Sequence, residues 1–369
     1  MATMPFDIEK ISEVFSLKGD FTGYEKCSNG HINSTYMLIF EENGIVKKYT
    51  LQMINTVVFK NPDELMSNIV RVTEHIRKKN LENGVAWADR GTLTFFPCTD
   101  GKYYYTDDEN RCWRLYGFVS DVYTCNTIDS AEVFTNAGKA FGEFQNILSD
   151  FDGASLFETI ENFHNTASRF NDLKTAIAEN KVGRLDTIKE ELEFALAREA
   201  DTHILVDMIA EGKLPLRVTH NDTKLNNILF DNVTDKGICI IDLDTVMPGL
   251  SLYDFGDSIR SGANTAAEDE KDVSKVSLNL ELFEAYVKGY LDSAKNALTD
   301  LEKELLPFGA KIMTYECGIR FLMDYLNGDV YFHTDYPEHN LVRCRTQFAL
   351  VADMEKKMDK MLEITKKYC

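Results

Sequence analysis

The chain has 369 residues, 44% of them hydrophobic and 27% charged, with a formal net charge of −20 at pH 7. That length allows two domains around a sizeable core, and the ordinary composition argues against disorder. A surface this negative repels nucleic acid and anionic membrane, so neither is expected as a partner, and any phosphate site must be local.

The eight cysteines include no C-x-x-C pair and no zinc spacing. Residues 1–10 carry no apolar stretch of the kind a signal peptide needs. No apolar run reaches the roughly 18 residues of a spanning helix. A cytoplasmic protein with reduced thiols is expected.

Along the chain, Phe6, Ile8, Ile11 and Phe15 predict a short helix over 6–16. Tyr36–Phe40 and Lys48–Met53 read as strands separated by the turn Glu41-Glu42-Asn43-Gly44. Asn61-Pro62-Asp63 opens a helix whose buried stripe is Leu65, Ile69, Val72 and Ile76. Further strands are predicted at Thr92–Phe96, Tyr103–Thr106 and Cys112–Phe118. After Phe118 the pattern turns helical. Val133, Ala137, Phe141, Phe144 and Leu148 line one helix, a charged helical stretch fills 163–211, and helices follow over 277–295, 301–326 and 340–366. The expected fold is α+β. An N-lobe, 1–118, carries an antiparallel sheet with a helix. A larger, mainly helical C-lobe is 119–369.

One segment, 216–245, interrupts the helices. It reads His220-Asn221-Asp222-Thr223-Lys224-Leu225-Asn226-Asn227, then Ile228–Phe230, a polar turn, Ile238–Ile241 and Asp242. The two apolar runs predict an antiparallel hairpin. Asn227 precedes its first strand and Asp242 follows its second, which would set an amide oxygen and a carboxylate on the order of 5 Å apart. Hard oxygen ligands suit Mg²⁺ bound together with phosphates. Asp222 can accept a proton from a hydroxyl, and Lys224 can reach a transferring phosphate. Base, lysine and two metal ligands in this order match phosphoryl transfer on a two-lobed protein-kinase-like fold. Asp254-Phe255-Gly256 spells the metal-binding tripeptide of protein kinases but lies beyond the hairpin. Asp254 and Asp257 are expected to hold the catalytic loop instead. Asp244 is either a second, water-mediated ligand or a solvated carboxylate, and His220 is read as structural.

These residues, with Ser28–Tyr36, Cys317–Leu322 and Gly328–Phe332, resemble the superfamily of aminoglycoside phosphotransferases and choline kinases. Within it they are similar to the bacterial N-acetylhexosamine 1-kinases. The resemblance implies transfer of the ATP γ-phosphate to the anomeric O1 of N-acetylglucosamine or N-acetylgalactosamine, with Mg²⁺. Asp222 would be the base, with Lys224 beside it, and Asn227 and Asp242 would bind metal. Ser28, Asn29, Gly30 and Phe118 would meet the nucleotide. Arg320 and Tyr331 would contact the sugar, with His31, Asp329 and Arg260 as further candidates. Other hydroxylated acceptors (another sugar, an aminoglycoside, choline or homoserine) and a nucleotide-binding pseudokinase stay open. Two features depart from the protein-kinase pattern. The glycine-rich loop is replaced by Ser28-Asn29-Gly30-His31, and the strand position of the phosphate-binding lysine holds Gln52.

Read from the residues alone, Arg320 suggests a structural ion pair, and Tyr331 and Phe332 suggest core aromatics. His333 and His339 lack metal-ligand spacing. Met354, Met358 and Met361 read as packing.

Overall fold

A computed structural model describes residues 6–27, 33–128 and 130–369. The chain divides into two compact units. One holds Met1–Tyr123, Leu229–Asn232 and Ile238–Asp244; the other holds Thr124–Ile228, Val233–Gly237 and Thr245–Cys369.

The first unit runs α1 (Ile8–Ser12), β1 (Asp20–Cys27), β2 (Ser34–Glu42), β3 (Ile45–Ile54), α2 (Pro62–Glu82), β4 (Tyr105–Thr106), β5 (Cys112–Gly117) and β6 (Val122–Tyr123). Five strands form one antiparallel sheet in the order β1-β2-β3-β5-β4. Asn43 and Gly44, both at positive φ, make the two-residue turn that sets the β2–β3 register. Alternation then sorts the side chains. Tyr36, Leu38, Phe40, Tyr49, Leu51, Trp113 and Leu115 join Ile8, Ile11 and Phe15 in one buried cluster. Thr35, Gln52 and Arg114 are cross-strand partners on the opposite face.

Asn61 caps α2 by accepting the Glu64 N–H at 3.4 Å, and Leu65, Ile69, Val72 and Ile76 are buried as expected. Two expectations fail. Residues 92–96 are not a strand: Phe95 makes a single bridge to Tyr116, and Pro97 removes the donor that would extend a ladder. The first helix is shorter than expected: it covers only Ile8–Ser12, and Phe15, buried in the same cluster, lies beyond its end. Strand β1 escaped the reading because its exposed, charged sequence lacks an apolar face.

The chain continues with α3 (Ala131–Ile147), α4 (Thr166–Glu179), α5 (Lys189–Leu196), α6 (Asp201–Ala210), β7 (Arg217–Thr219), β8 (Ile228–Asp231), β9 (Gly237–Ile240) and β10 (Met247–Gly249). Then come α7 (Ser251–Gly262), α8 (Leu280–Ala294), α9 (Asp300–Asn327) and α10 (His339–Tyr368). Strands β6, β8 and β9 form a three-stranded sheet, and β7 pairs with β10. The charged stretch 163–211 is three helices rather than one. Asn180 turns left-handed at φ 41° and ends α4, its side chain accepting the Leu185 N–H. Helix α9 starts on a capping box, Thr299 with Glu302, and stops at Gly328 with φ 95°. Its partner α7, absent from the sequence reading, packs through two glycines. A Cβ on Gly256 would lie 2.3 Å from the Gly309 carbonyl oxygen. The described residues include no helix long and apolar enough to cross a membrane.

Candidate functional site

The loop between β7 and β8 is fixed from below by α7. Asp254, 1% exposed, accepts the backbone N–H of His220 at 2.9 Å and of Asn221 at 2.8 Å, and the Gln145 amide at 3.1 Å. Asp257 accepts the Thr223 N–H at 3.0 Å. Thr223 Oγ1 donates to the Asp254 carbonyl, and Ser258 Oγ donates to the Thr223 carbonyl. Asn221 takes φ 64°, and its amide donates to the Thr245 carbonyl at 2.8 Å. Burial raises the Asp254 carboxyl above its usual range, although His220 and the two N–H groups oppose that. The tripeptide Asp254-Phe255-Gly256 is therefore helical. Its acid holds the loop, its phenyl ring sits among Phe283, Tyr286 and Tyr290, and its glycine admits α9.

On the loop itself, Lys224 Nζ pairs with Asp222 Oδ1 at 2.7 Å. Asn227 Nδ2 donates to the Asp222 carbonyl at 2.8 Å and to Oδ2 at 3.2 Å. The Asp222 side chain stays 27% exposed, so both oxygens are oriented without being sealed off. Desolvation would depress the Lys224 ammonium, but Asp222 and Asp257 outweigh it and raise its pKa. His220 accepts the Asp222 N–H through Nδ1 at 3.2 Å, its ring edge-on to Phe141 and Phe144. It is a structural residue, as expected.

Arg260 is committed elsewhere. Its Nε and Nη2 donate to Asp257 Oδ1 at 2.9 and 2.7 Å, and Nη1 donates to Glu268 at 3.0 Å. Burial alone would raise the Asp257 carboxyl, but Arg260 and Lys224 hold it below the usual range. Asp329 is likewise occupied: Arg184 and Asn340 donate to its two oxygens at 2.5 and 2.9 Å. Both candidate sugar contacts thus have partners within this unit.

Arg320 differs. Among the described residues it has no hydrogen-bond or ion-pair partner. Its guanidinium lies 5.5 Å from the Phe163 ring, 5.9 Å from Tyr331 and 5.6 Å from Phe332. The structural ion pair read from its helical position is absent among the described residues. Asp324, one turn along α9, accepts the N–H groups of Val330, Tyr331 and Phe332 and so fixes the aromatic segment. Tyr331 remains 63% exposed. A second guanidinium, Arg169, is half-buried nearby; burial and then the Arg320 charge lower its pKa. His164 joins this cluster to the loop, with Nδ1 2.7 Å from Glu316 and Nε2 3.3 Å from the Asn221 carbonyl. Glu316 lies one turn before Arg320 on α9. Nothing in the sequence singled out His164, which belongs to no motif.

In the other unit, Asp242 is exposed at φ 60°, two residues past β9. Asp244 is neither solvated nor a free ligand. It is buried, paired with Arg114 and bonded by the Asn33 amide at 2.6 Å. The exposed Phe118 donates its N–H to the Lys48 carbonyl at 3.3 Å. Lys47 of β3 pairs with Glu42. Ser28, Asn29, Gly30 and His31 lie outside the described residues. His333 pairs with Asp335 and His339 stacks on Tyr336. No three His, Cys, Asp or Glu side chains among the described residues cluster to hold a metal. The Asn227 amide, with its nitrogen turned to Asp222, leaves Oδ1 as a neutral oxygen donor. The Asp242 carboxylate is by itself an oxygen ligand of the kind that suits Mg²⁺.

The chain is similar in fold to an aminoglycoside phosphotransferase from Alicyclobacillus acidocaldarius, with TM-score 0.61 and 12% identity over 97% of this chain and 98% of that one. A spectinomycin phosphotransferase solved with ADP and spectinomycin aligns over 99% of both chains at TM-score 0.51 and 14% identity. A choline kinase from Cryptosporidium parvum aligns at TM-score 0.52 and 12% identity over 94% and 92%. The profile of the phosphotransferase enzyme family (APH) matches residues 24–292, through the loop of Asp222 and helix α7. This chain belongs to that phosphotransferase enzyme family.

Proposed function

We propose that this chain is a cytoplasmic, Mg²⁺-dependent kinase that moves the ATP γ-phosphate to the anomeric O1 of N-acetylglucosamine or N-acetylgalactosamine. The observation that carries the acceptor assignment is Arg320, unpaired among the described residues and framed by Phe163, Tyr331 and Phe332. Aromatic faces suit the C–H faces of a sugar ring, and a planar guanidinium suits hydroxyl and acetamide oxygens. Arg169 lies close by, and the buried Glu316 carboxylate offsets only part of the positive charge of the two guanidiniums. Choline, ethanolamine and the polyamine aminoglycosides are disfavoured for that reason.

In this reading Asp222 accepts the proton of the acceptor hydroxyl. The ring oxygen makes an anomeric hydroxyl more acidic than a simple alcohol, which eases its deprotonation by a carboxylate. The Asn227 amide and the Lys224 ammonium hold the two carboxylate oxygens in place. Lys224, kept charged by its acidic neighbours, also offsets charge on the transferring phosphoryl group. Asn227 and Asp242, which flank the two strands of one hairpin in sequence, would hold Mg²⁺. Bound there, the ion would neutralise phosphate oxygens. Ser28–Gly30 and Phe118 are retained as proposed nucleotide contacts. Tyr331 is retained with Arg320 for the sugar. Arg260 and Asp329 are retained as weaker candidates for the sugar site, each already engaged with neighbours on this unit.

The test is ADP release with Mg-ATP across N-acetylglucosamine, N-acetylgalactosamine, glucose, galactose, choline and kanamycin, with phosphorus NMR of the product. A sugar 1-phosphate from the N-acetyl sugars is the expected result. Turnover of choline or kanamycin in preference would overturn the role given to Arg320.

A further inference from the structure

Strand β3 carries Gln52 where protein kinases keep a cation, yet the sheet is not without one. In the β3–β5 register Gln52 faces Arg114, so both side chains leave the same face. Arg114 lies between Trp113 and Leu115 of the buried cluster but points the other way, and it is only 3% exposed. Its Nε and Nη2 donate to Gln52 Oε1 at 3.0 and 2.7 Å, and Gln52 Nε2 donates to Thr35 Oγ1 at 3.1 Å. Its Nη1 donates to Asp244 Oδ1. The other Asp244 oxygen takes the Asn33 amide, whose own carbonyl oxygen takes the Asn55 N–H at 2.9 Å. A buried network from β2, β3 and β5 therefore ends on one carboxylate.

That carboxylate sits in the single 3₁₀ turn Leu243–Thr245, immediately after Asp242. Asp242 itself is exposed and held in the left-handed region, which a lone turn does not enforce. We propose that Arg114 is a positioning residue for Asp242: by pinning Asp244 it fixes the turn next to the carboxylate that would hold Mg²⁺. The cation of the sheet has moved one strand over and acts through the metal loop. This rests on the reading of Asp242 as a Mg²⁺ ligand.

Calorimetry on the full-length chain tests it, measuring ADP affinity as Mg²⁺ is titrated, with no acceptor present. Arg114→Gln should leave metal-free ADP binding unchanged. It should raise the Mg²⁺ concentration for half the effect by about 10–100-fold, the usual loss when a residue that orients a metal ligand is removed. Arg114→Lys, which keeps the charge without the fork, should fall between. Leaving Asp244 unpaired can unfold the protein, so the neutral pair Arg114→Gln/Asp244→Asn is made alongside and should show the same Mg²⁺ shift. A folded variant with unchanged Mg²⁺ dependence overturns the proposal, as does equal loss of metal-free ADP binding. Should the wild-type chain ignore Mg²⁺ altogether, the metal reading of Asp242 fails first. Rejection of N-acetylhexosamines would leave the binding experiment readable.

Discussion

Replacing Asp254 by Asn separates a loop anchor from a metal ligand. The carboxylate takes three N–H donors: His220 and Gln145 on Oδ2, Asn221 on Oδ1. The least costly amide orientation keeps the first two and turns an NH₂ toward the Asn221 N–H. One buried donor is then orphaned, at about 1–3 kcal/mol. The two surviving bonds lose their charge assistance, which makes them roughly half as strong. Against this, a neutral amide is less costly to bury than a carboxylate whose pKa burial has already raised. The balance is a destabilisation of about 2–4 kcal/mol, seen as a drop in melting temperature of about 4–16 °C for a unit of this size. Thermal unfolding by circular dichroism measures it. Turnover should fall with the loop's precision, since misplacing a reacting group by about 1 Å costs on the order of 10²-fold. The Mg²⁺ concentration for half-maximal rate should stay put. An Asn variant that melts like wild type but needs far more Mg²⁺ would refute the anchor and make Asp254 a ligand.

Other expected outcomes follow from the same contacts. Asp222→Asn should lower kcat by about 10²–10⁴-fold while ADP binding, by calorimetry, is unchanged. Arg320→Met should raise KM for the N-acetyl sugar by about 10–100-fold, the worth of hydrogen bonds to a charged group, and leave KM for ATP alone. Glu302 accepts from Arg217, Ser251 and the Thr299 N–H, which outweigh burial and lower its pKa, as Arg260 and Lys224 do for Asp257. The folded state thus binds protons more weakly than the unfolded one. The stability these acids contribute is complete above the ordinary carboxylate range and lost as pH falls through their lowered pKa values. Acid unfolding should begin below about pH 4, and Glu302→Gln should flatten its slope.

The N-terminal sheet and the helical region after it were legible because hydrophobic period changes from 2 to 3.6 near residue 118, and the hairpin because two apolar runs bracket a polar turn. Helix α7 was not, although Leu252, Phe255 and Ile259 recur at helical spacing. The site divides in the same way. Asp222, Lys224 and Asn227 lie within six residues of one loop, so spacing exposes them. Arg260, Arg320 and Asp329 look alike as isolated charges. Only their partners distinguish two committed side chains from one with none among the described residues. His164 left no trace, since its role depends on Glu316, distant in sequence.

Arg114 did leave a signal, a lone charge inside the apolar run Cys112-Trp113-Arg114-Leu115-Tyr116, and the period-2 rule says what it means. In a strand buried on one face, a residue between two core positions points to the other side. Directly opposed residues of an antiparallel pair point there together. A cation can therefore shift from β3 to β5 and keep its face, provided the register pairs the two positions, as Gln52 and Arg114 are paired. The shift favours arginine over lysine. From β5 the side chain must satisfy Gln52 and Asp244 at once, which a rigid fork of donors does and a single ammonium does poorly. A search for a lysine at that position of the third strand thus finds Gln52, while the positive charge remains on that face, one register partner away.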